Sequence, residues 1–538
     1  MRFRLLLLLG TMMLGGLSAR AQTLTQTNLP IVVINTNGGT IGSSQIAANM
    51  KIINNGSGLN APADAPQFQG TIGIRHRGSS ANPKKSFNIE TWTNSSGTSM
   101  DTSLLGMPTE NDWVLLASYT DRSLMRNLLG FHLFSQMGNY APRMKLVELL
   151  VNNSYEGVYL FGEKIKRDEN RVDIATLKNT DNSGVELTGG YIFRIDNSND
   201  DFWTSSYLPP YASGTQTVAF HYEEPQDDEI TPIQMAYIKG YVDSFEAALN
   251  ATNYQDTTNG WRKFAGQNSF QEYMVFSEVM KSGDAYRLST YMYKDKDKKL
   301  RMGPPWDLEM SLYNTSNCNT AQDGGWAYNY GATCVSEQYL APFWWSRLAT
   351  DTLFMREAKC RYTMYRQSFL DTNAVWGFID SISNLLNAQG AQTRNFQKWP
   401  IFGVNLVNEP VLAANHAEEV TNMKGFIRRR LSFLDGQWLT PGCTLSITDL
   451  SGTISAIDVF PNPTGGDLRV GMRLSRTANL TVLVQDVFGR TLLQKETGRL
   501  PSGETLINLA TATLPAGVYA VTAIVDGTEK KTLKFVRQ

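Results

Sequence analysis

Three carboxylates sit on the two arms of one polar turn. Asp284 leads into the run Tyr286 to Tyr293, the turn Lys294 to Lys299 follows, and Asp307 and Glu309 lie in the second arm, Leu300-Arg301-Met302-Gly303-Pro304-Pro305-Trp306-Asp307-Leu308-Glu309. The pattern predicts a β-hairpin. Pairing Tyr293 with Leu300 puts Tyr286 opposite Asp307 and Asp284 opposite Glu309, so the three acids meet at the open end. At a rise of ~3.3 Å per residue, Asp284 and Asp307 are offset by about two residues, near enough to share one divalent metal and its phosphate ligands. The other reading is a pair of turn or cap aspartates flanking strands.

A second constellation is cationic. Arg75, Arg77, Lys84 and Lys85 surround the turn Gly78-Ser79-Ser80-Ala81-Asn82-Pro83 and run into the strand Ser86-Phe87-Asn88-Ile89. Such a turn offers backbone N–H groups and fixed charge to a polyanion. Strand alternation puts Lys85 on the face of Phe87 and Ile89, so Lys85 is expected inward and Lys84 outward. A buried lysine needs an anion, and Glu163, closing the apolar strand Gly157 to Gly162, is a candidate. The alternatives are a solvated basic turn with Lys85 on a local carboxylate, and an edge-strand charge pair at Glu163 worth little. The aromatic tract Trp326, Tyr328, Tyr330, Phe343, Trp344 and Trp345 is either core or a platform for a sugar or peptide.

The absent signatures narrow the chemistry. No Gly-Lys dipeptide occurs, so there is no P-loop, and G-x-S-x-G, H-E-x-x-H, H-R-D and D-F-G are missing as well. Lys+Arg number 49 against Asp+Glu 50, which removes the whole-chain case for nucleic-acid binding. Four histidines and four cysteines without zinc-site spacing make a zinc centre improbable. Residues 1–21 read as a signal peptide: Arg2 and Arg4, an apolar run from Leu5 to Leu17, then Ala19-Arg20-Ala21. That run is too short to span a membrane, and no later one suffices, so no transmembrane helix is expected in the mature chain. In an oxidising compartment Cys318 and Cys334 could close the loop between them, one of three connectivities open to four cysteines.

Elements must hold these residues in place. From Leu29 to about Tyr222 short β-branched strands dominate, interrupted by one helix over Ser123 to Met137. From Glu229 helical spacing takes over, at Ile230 to Leu249, Ser269 to Met280, Thr352 to Phe369, Val375 to Leu386 and Glu418 to Phe433. After Cys443, strands at Leu480 to Gln485, Thr491 to Gln494, Thr505 to Leu509, Val518 to Val525 and Lys531 to Val536 predict a small antiparallel β-sandwich. The expected class is α+β, with a β-rich N-terminal half and an α-rich C-terminal half followed by the sandwich.

The segments RGSSANPKKSF, LLGMPTENDWVLLASYTDRSLMRN, GVYLFGEKIKR with RVDIATL, TGGYIFRID, DAYRLSTYMYKDKD, GPPWDLEMSL, APFWWSRL and the closing RLSFLD together resemble the CotH kinase family, in particular its secreted Bacteroidota members. The resemblance implies an atypical bilobal protein-kinase-like fold over residues 22–443. It also implies binding of ATP with Mg²⁺ or Mn²⁺ and phosphorylation of an unidentified protein substrate on Ser or Thr. By residue it implies ATP binding at Arg77, Lys85 and Glu163, a catalytic Asp284, and metal binding at Asp307 and Glu309. Two positions depart from the pattern: Glu309 stands where Asn or Asp is usual, and Tyr313 where Gly is common. Residues 454–538, after a linker over 444–453, resemble the type A sorting domain of type IX secretion through Phe460-Pro461-Asn462-Pro463, Val487-Phe488-Gly489-Arg490, Leu514 to Tyr519 and Lys534-Phe535-Val536-Arg537. That resemblance implies contact with the secretion machinery and a secreted or cell-surface destination. The rival reading keeps the fold without catalysis, as a structural, adhesive or glycan-binding surface protein.

Overall fold

The computed structural model describes residues 24–441, except Ser57, Ser79, Ser80, Ser198, Asn199, Thr215 and Ser336, then Cys443 and, with short gaps, residues 454–538. The signal peptide, the linker 444–453 and the turn residues Val487, Phe488 and Gly489 lie outside the described residues.

Seven short strands close on themselves. They are β1 (Ile31–Asn35), β2 (Ile46–Ile53), β3 (Phe68–Arg77), β4 (Ser86–Trp92) and β5 (Asp112–Leu116), then, after helix α1 (Arg126–Gln136), β6 (Met144–Val151) and β7 (Ser154–Glu163). Their order is β1-β2-β3-β4-β5-β7-β6, and parallel pairing of β1 with β6 completes a closed barrel without free edges. Alternation sends Ile72, Ile74, Phe87, Ile89, Trp113, Leu115, Tyr159 and Phe161 into the barrel. The opposite face is buried as well, because Val114, Leu116, Val158 and Leu160 join a second core outside the barrel.

That second core belongs to the rest of the body. It contains β8 (Tyr191–Ile195), β9 (Phe202–Thr204), β10 (Ala219–Glu224), α2 (Pro232–Asn250), α3 (Gln267–Met280), β11 (Thr290–Lys294) and β12 (Arg301–Met302), then α4 (Trp344–Leu348), α5 (Thr352–Arg366), α6 (Thr372–Asn387), α7 (Ala391–Lys398) and α8 (His416–Trp438). The five strands form one sheet ordered β12-β11-β8-β10-β9. A capping box between Thr231 and Gln234, with Pro232 in the first turn, sets the start of α2. Helix α3 is buried along nearly its whole length, which makes it the centre of the helical half. The periodic segments all form helices within a few residues of the expected limits. Helices α4 and α7, five and eight residues long, are additional; neither is long enough to display a helical apolar period.

Helix α7 fastens the barrel to this half. Asn395 Oδ1 accepts from Val158 N at 3.1 Å, and Arg394 pairs with the fully buried Glu148 at 2.7 Å. Gly157 has φ +106°, and a Cβ there would lie 2.6 Å from Asn395 Oδ1, so both conformation and close approach call for glycine.

Gly442–Gln538 is a separate compact unit. Its strands are β13 (Ile454–Phe460), β14 (Leu468–Leu474), β15 (Ala478–Gln485), β16 (Thr491–Leu500), β17 (Gly503–Leu509), β18 (Gly517–Val525) and β19 (Glu529–Arg537). They form two antiparallel sheets, β13-β14-β17 and β16-β15-β18-β19, which share one apolar core containing Val470, Val482, Val521 and Phe535. The five expected strands are present, and β13 and β14 complete the first sheet. Cys318 and Cys334 are joined in a disulfide with their Cα atoms 5.1 Å apart. No described cysteine is free.

Candidate functional site

The hairpin exists, but it is shorter than expected and in a different register. Tyr293 pairs with Arg301, one residue beyond Leu300, and the ladder covers only β11 and the two residues of β12. Residues 284–288 instead form a turn in which the amides of Arg287 and Leu288 donate to Asp284 O at 3.2 and 3.0 Å. The facing of Tyr286 with Asp307, and of Asp284 with Glu309, is therefore corrected. Tyr286 is buried and donates to Glu278 Oε1. Two of the three acids still meet, by loop geometry: Asp284 and Asp307 line one small pocket with Met280, Ser282, Pro305 and Trp306, and Glu309 is not among its lining residues.

Helix α1 and the chain leading into it hold the second arm. Asn127 Oδ1 accepts from Leu308 N at 2.8 Å, and Arg126 donates to Ser311 O at 3.0 Å and to Leu312 O at 3.3 Å. Asn314 Nδ2 bridges Glu309 O and Thr120 O, and Thr120 Oγ1 donates to Glu309 Oε2 at 2.9 Å. A Cβ on Gly130 would fall 2.1 Å from Leu308 Cδ1, so the helix packs closely against this loop there. Arg126 is itself fixed by Asp121 and Glu419, both buried. This lattice accounts for the segment from Tyr119 to Asn127. Asp307, Leu312 and Tyr313 take φ of +53°, +49° and +63°. Non-glycine residues held in this region cost on the order of 1–3 kcal/mol each and require surroundings that over-determine them.

The acids repel one another. Surrounding protein groups, followed by the charges of Glu309, Asp284 and Asp196, push the Asp307 carboxyl up to about 7, although the residue as a whole is exposed to solvent; Arg77 opposes the shift. Burial, then Asp196 and Glu337, also raises Asp284 against the pull of Arg287. Glu309 is raised by burial and by Asp121, while Thr120 and Lys84 pull it down. The Arg77 guanidinium carbon lies 4.9 Å over the Trp306 ring, next to Asp307, and Arg77 Nη1 donates to Asn88 Oδ1. Among the described residues, the one group of three His, Cys, Asp or Glu ligand atoms all within 4.8 Å of one another is Cys318, Cys334 and Glu337, and its two sulfurs are already bonded together. Asp307 and Asp284 line the pocket without a third acid in such a group.

A family model described as CotH kinase protein matches residues 74–434, about two thirds of the chain. The chain belongs to the CotH kinase family. A second model, described as Secretion system C-terminal sorting domain, matches residues 458–538. The sorting domain marks this CotH family member for export to the cell surface or the medium. Among the described residues no helix is long and apolar enough to cross a membrane. No curated protein matches the chain. Among solved structures, the Pseudomonas fluorescens alkylpurine DNA glycosylase AlkC, bound to DNA containing an abasic site analog, aligns with 39% of this chain and 74% of its own at 14% identity. Its TM-score is 0.12, and the overlap carries no argument.

Within this CotH chain the buried lysine is Lys84, which was expected outward, and not Lys85. Lys84 is buried and donates to Ala117 O at 2.7 Å, Val158 O at 2.5 Å and Asn395 Oδ1 at 3.1 Å, with its ammonium over the Tyr159 ring. Lys85 is only half-buried. Lys84 stands in the bend before β4, and its parity is that of Ser86 and Asn88, the face turned to the helical half. The apolar face shared by Lys85, Phe87 and Ile89 is that of the barrel's own interior. Burial pulls Lys84 down to about 7 against Glu309, Glu156 and Asp121. Its three donors are all spent, so Lys84 is a pin between barrel and α7. Lys84→Met should lower the urea unfolding free energy by about 1–3 kcal/mol, because buried acceptors lose their donor, while Lys85→Met should change it by less than about 0.5 kcal/mol.

Glu163 also differs from expectation. It is fully buried at the end of β7, where it accepts from Arg143 N, Arg143 Nε and Tyr140 OH, so its observed cation is Arg143. The aromatic tract is core: Trp344, Trp345 and Tyr330 are buried, and Trp326, Tyr328 and Phe343 pack against them. Asp196, just after β8, and Thr120 and Asp121, before α1, are site residues to which the sequence reading assigned no role. The signals available were the Arg-Ile-Asp at a strand end and the Thr-Asp-Arg-Ser that opens α1. Tyr313 keeps the left-handed backbone that glycine adopts without strain, with its ring 5.3 Å from the Arg126 guanidinium.

Proposed function

We propose that the protein is a secreted atypical protein kinase that transfers the γ-phosphoryl group of ATP to a Ser or Thr hydroxyl of another protein. In this reading the barrel half and the helical half correspond to the two lobes of a kinase-like body, and the C-terminal unit is a β-sandwich recognised by the type IX machinery. The carrying observation is that Asp284 and Asp307 line one pocket with Trp306, within electrostatic reach of Glu309 and Asp196 and with Arg77 over the Trp306 ring.

The donor set fits a divalent cation. Carboxylates crowded until one is held near 7 are relieved by a cation, and Mg²⁺ takes one or two carboxylates together with phosphate oxygens. Asp307 would hold the ion, assisted by Glu309. When bound, Mg²⁺ or Mn²⁺ would supply neutralisation of phosphate charge. Arg77 adds a fixed positive charge at the same place. The acceptor hydroxyl oxygen forms a bond to the γ-phosphorus, the bond from that phosphorus to the β–γ bridging oxygen breaks, and ADP departs. Asp284 accepts the hydroxyl proton, a role favoured by its raised proton affinity.

The test is autophosphorylation with labelled ATP and Mg²⁺ or Mn²⁺. Asp284→Asn should reduce transfer by about 10²- to 10⁴-fold while leaving nucleotide binding near wild type, as expected for loss of a general base. If the wild-type protein binds no ATP at any concentration of either metal, the kinase reading fails and a non-catalytic surface role takes its place.

A further inference from the structure

The turn that carries Asp284 is tied at three points to a single downstream segment. Gly283 N donates to Met310 O at 3.1 Å, the Lys281 ammonium donates to the carbonyls of Gln322 and Gly324, and Arg287 Nη1 donates to Tyr339 O at 2.9 Å and to Glu337 Oε2 at 3.2 Å. Arg287 is buried. Its Nε closes back on Gly283 O at 2.8 Å, and its Nη2 lies 3.6 Å from Asp284 Oδ1. One guanidinium therefore joins the backbone before Asp284, the Asp284 carboxylate and two residues of the downstream segment. Only a planar fork with several donors can do this; a lysine ammonium cannot span the same set.

The downstream segment is fixed from two sides. The disulfide between Cys318 and Cys334 cross-links it internally, and Glu337 N donates to Cys334 O at 3.0 Å, three residues beyond the bridge. From the chain before β10, Gln216 Nε2 donates to Val335 O and Glu337 O. Opening the disulfide frees the 16-residue separation between the cysteines and restores conformational entropy to the strut that Arg287 leans on.

We propose that Arg287 is a positioning residue for Asp284, and that the Cys318–Cys334 cross-link holds the Glu337 and Tyr339 contacts that keep Arg287 in place. This rests on the proton-accepting role proposed above for Asp284. Thiols stay reduced in the cytoplasm and pair in oxidising compartments, so the Asp284 turn is completed only after export, and transfer is withheld until then.

The experiment compares the mature oxidised chain with E337A, R287K and the double variant C318S/C334S. Glu337 has a 40% exposed side chain, so E337A tests the strut without threatening the fold. Two readouts are taken: amide hydrogen exchange, and kcat and KM for labelled ATP with Mg²⁺. In all three variants the amides of Arg287 and Leu288 should exchange about tenfold faster or more, with those of β3 and β4 unchanged. The value of kcat should fall while KM for ATP stays near wild type. R287K keeps the charge and should still fail, which separates positioning from electrostatics. Exchange at 287 and 288 unchanged in both E337A and C318S/C334S overturns the proposal. If the wild type incorporates no label, the kinase reading is lost, yet the exchange comparison still decides whether the cross-link controls the Asp284 turn.

Discussion

Asp307→Asn should weaken Mg²⁺-dependent ATP binding and reduce phosphoryl transfer by about a hundredfold or more, since removing one preorganised charge from a transferring phosphoryl site costs at least that much. The loss should appear in binding as well as in kcat, unlike that of Asp284→Asn, because a metal carboxylate acts in the ground state too. Its pH dependence is distinctive. The Asp307 carboxyl sits near 7 because protein crowds it and Glu309, Asp284 and Asp196 repel its charge. The ion needs the deprotonated form, so metal affinity should fall about tenfold for each pH unit below 7 and level off above it. Calorimetric titration of Mn²⁺ with a non-hydrolysable ATP analogue, repeated across this range, checks the slope, and in Asp307→Asn the slope should flatten. For the metal-free protein the sign is opposite. The folded carboxyl holds its proton between its ordinary 3.8 and about 7, so the stability this group contributes is complete below 3.8 and lost as pH rises through 7. Saturating Mg²⁺ should cancel that decline.

Glu278→Ala should cost about 3–5 kcal/mol of unfolding free energy, the largest stability effect we expect from one substitution. Glu278 on α3 and Arg430 on α8 are both fully buried and pair at 2.9 Å. The carboxylate also accepts from Ala327 N, Tyr328 N and Tyr286 OH, while Arg430 serves the carbonyls of Glu278, Asp323 and Gly325. Burial pushes Glu278 up and Arg430 down, and each charge resists the shift of the other. Truncating the acid leaves a buried guanidinium without its counter-charge. The neighbouring pair Arg429–Asp323, at 2.8 Å but more than half exposed on the arginine, supplies the control. Arg429→Ala should change stability by less than about 1 kcal/mol in the same urea titration. A drop below 1 kcal/mol for Glu278→Ala would mean the pair does not anchor α8 to α3.

Much of the architecture is local and therefore legible in sequence. Helices α2, α5, α6 and α8 bury a face repeated over several turns, and a repeated face leaves a period. Strands β15, β17, β18 and β19 lie between turn residues that few other conformations accept. Cys318 and Cys334 flank one loop and could be proposed to close it, although four cysteines left three connectivities open. The signature segments around Asp121, Asp284 and Asp307 could be recognised because they are continuous in the chain.

Only the tertiary structure decided which residues face one another. Period 2 along Lys84 to Ile89 identifies two faces of β4 but not what lies beyond each. Closure of the barrel fills one face with Phe87 and Ile89, and the helical half covers the other, so Lys84 is buried and Lys85 is not. Hydrophobic alternation marks the inside of a sheet only when water is on its other side. The same limit applies to the acids. Asp196 reaches Asp307 from β8, about a hundred residues away in the chain, and Arg77 arrives from β3. Pairing of β8 with β11 and of β11 with β12 carries Asp196 toward Asp307, while docking of the helical half on the barrel, through Lys84 with Asn395 and Glu148 with Arg394, brings Arg77 there; both join groups far apart in sequence that no local spacing encodes.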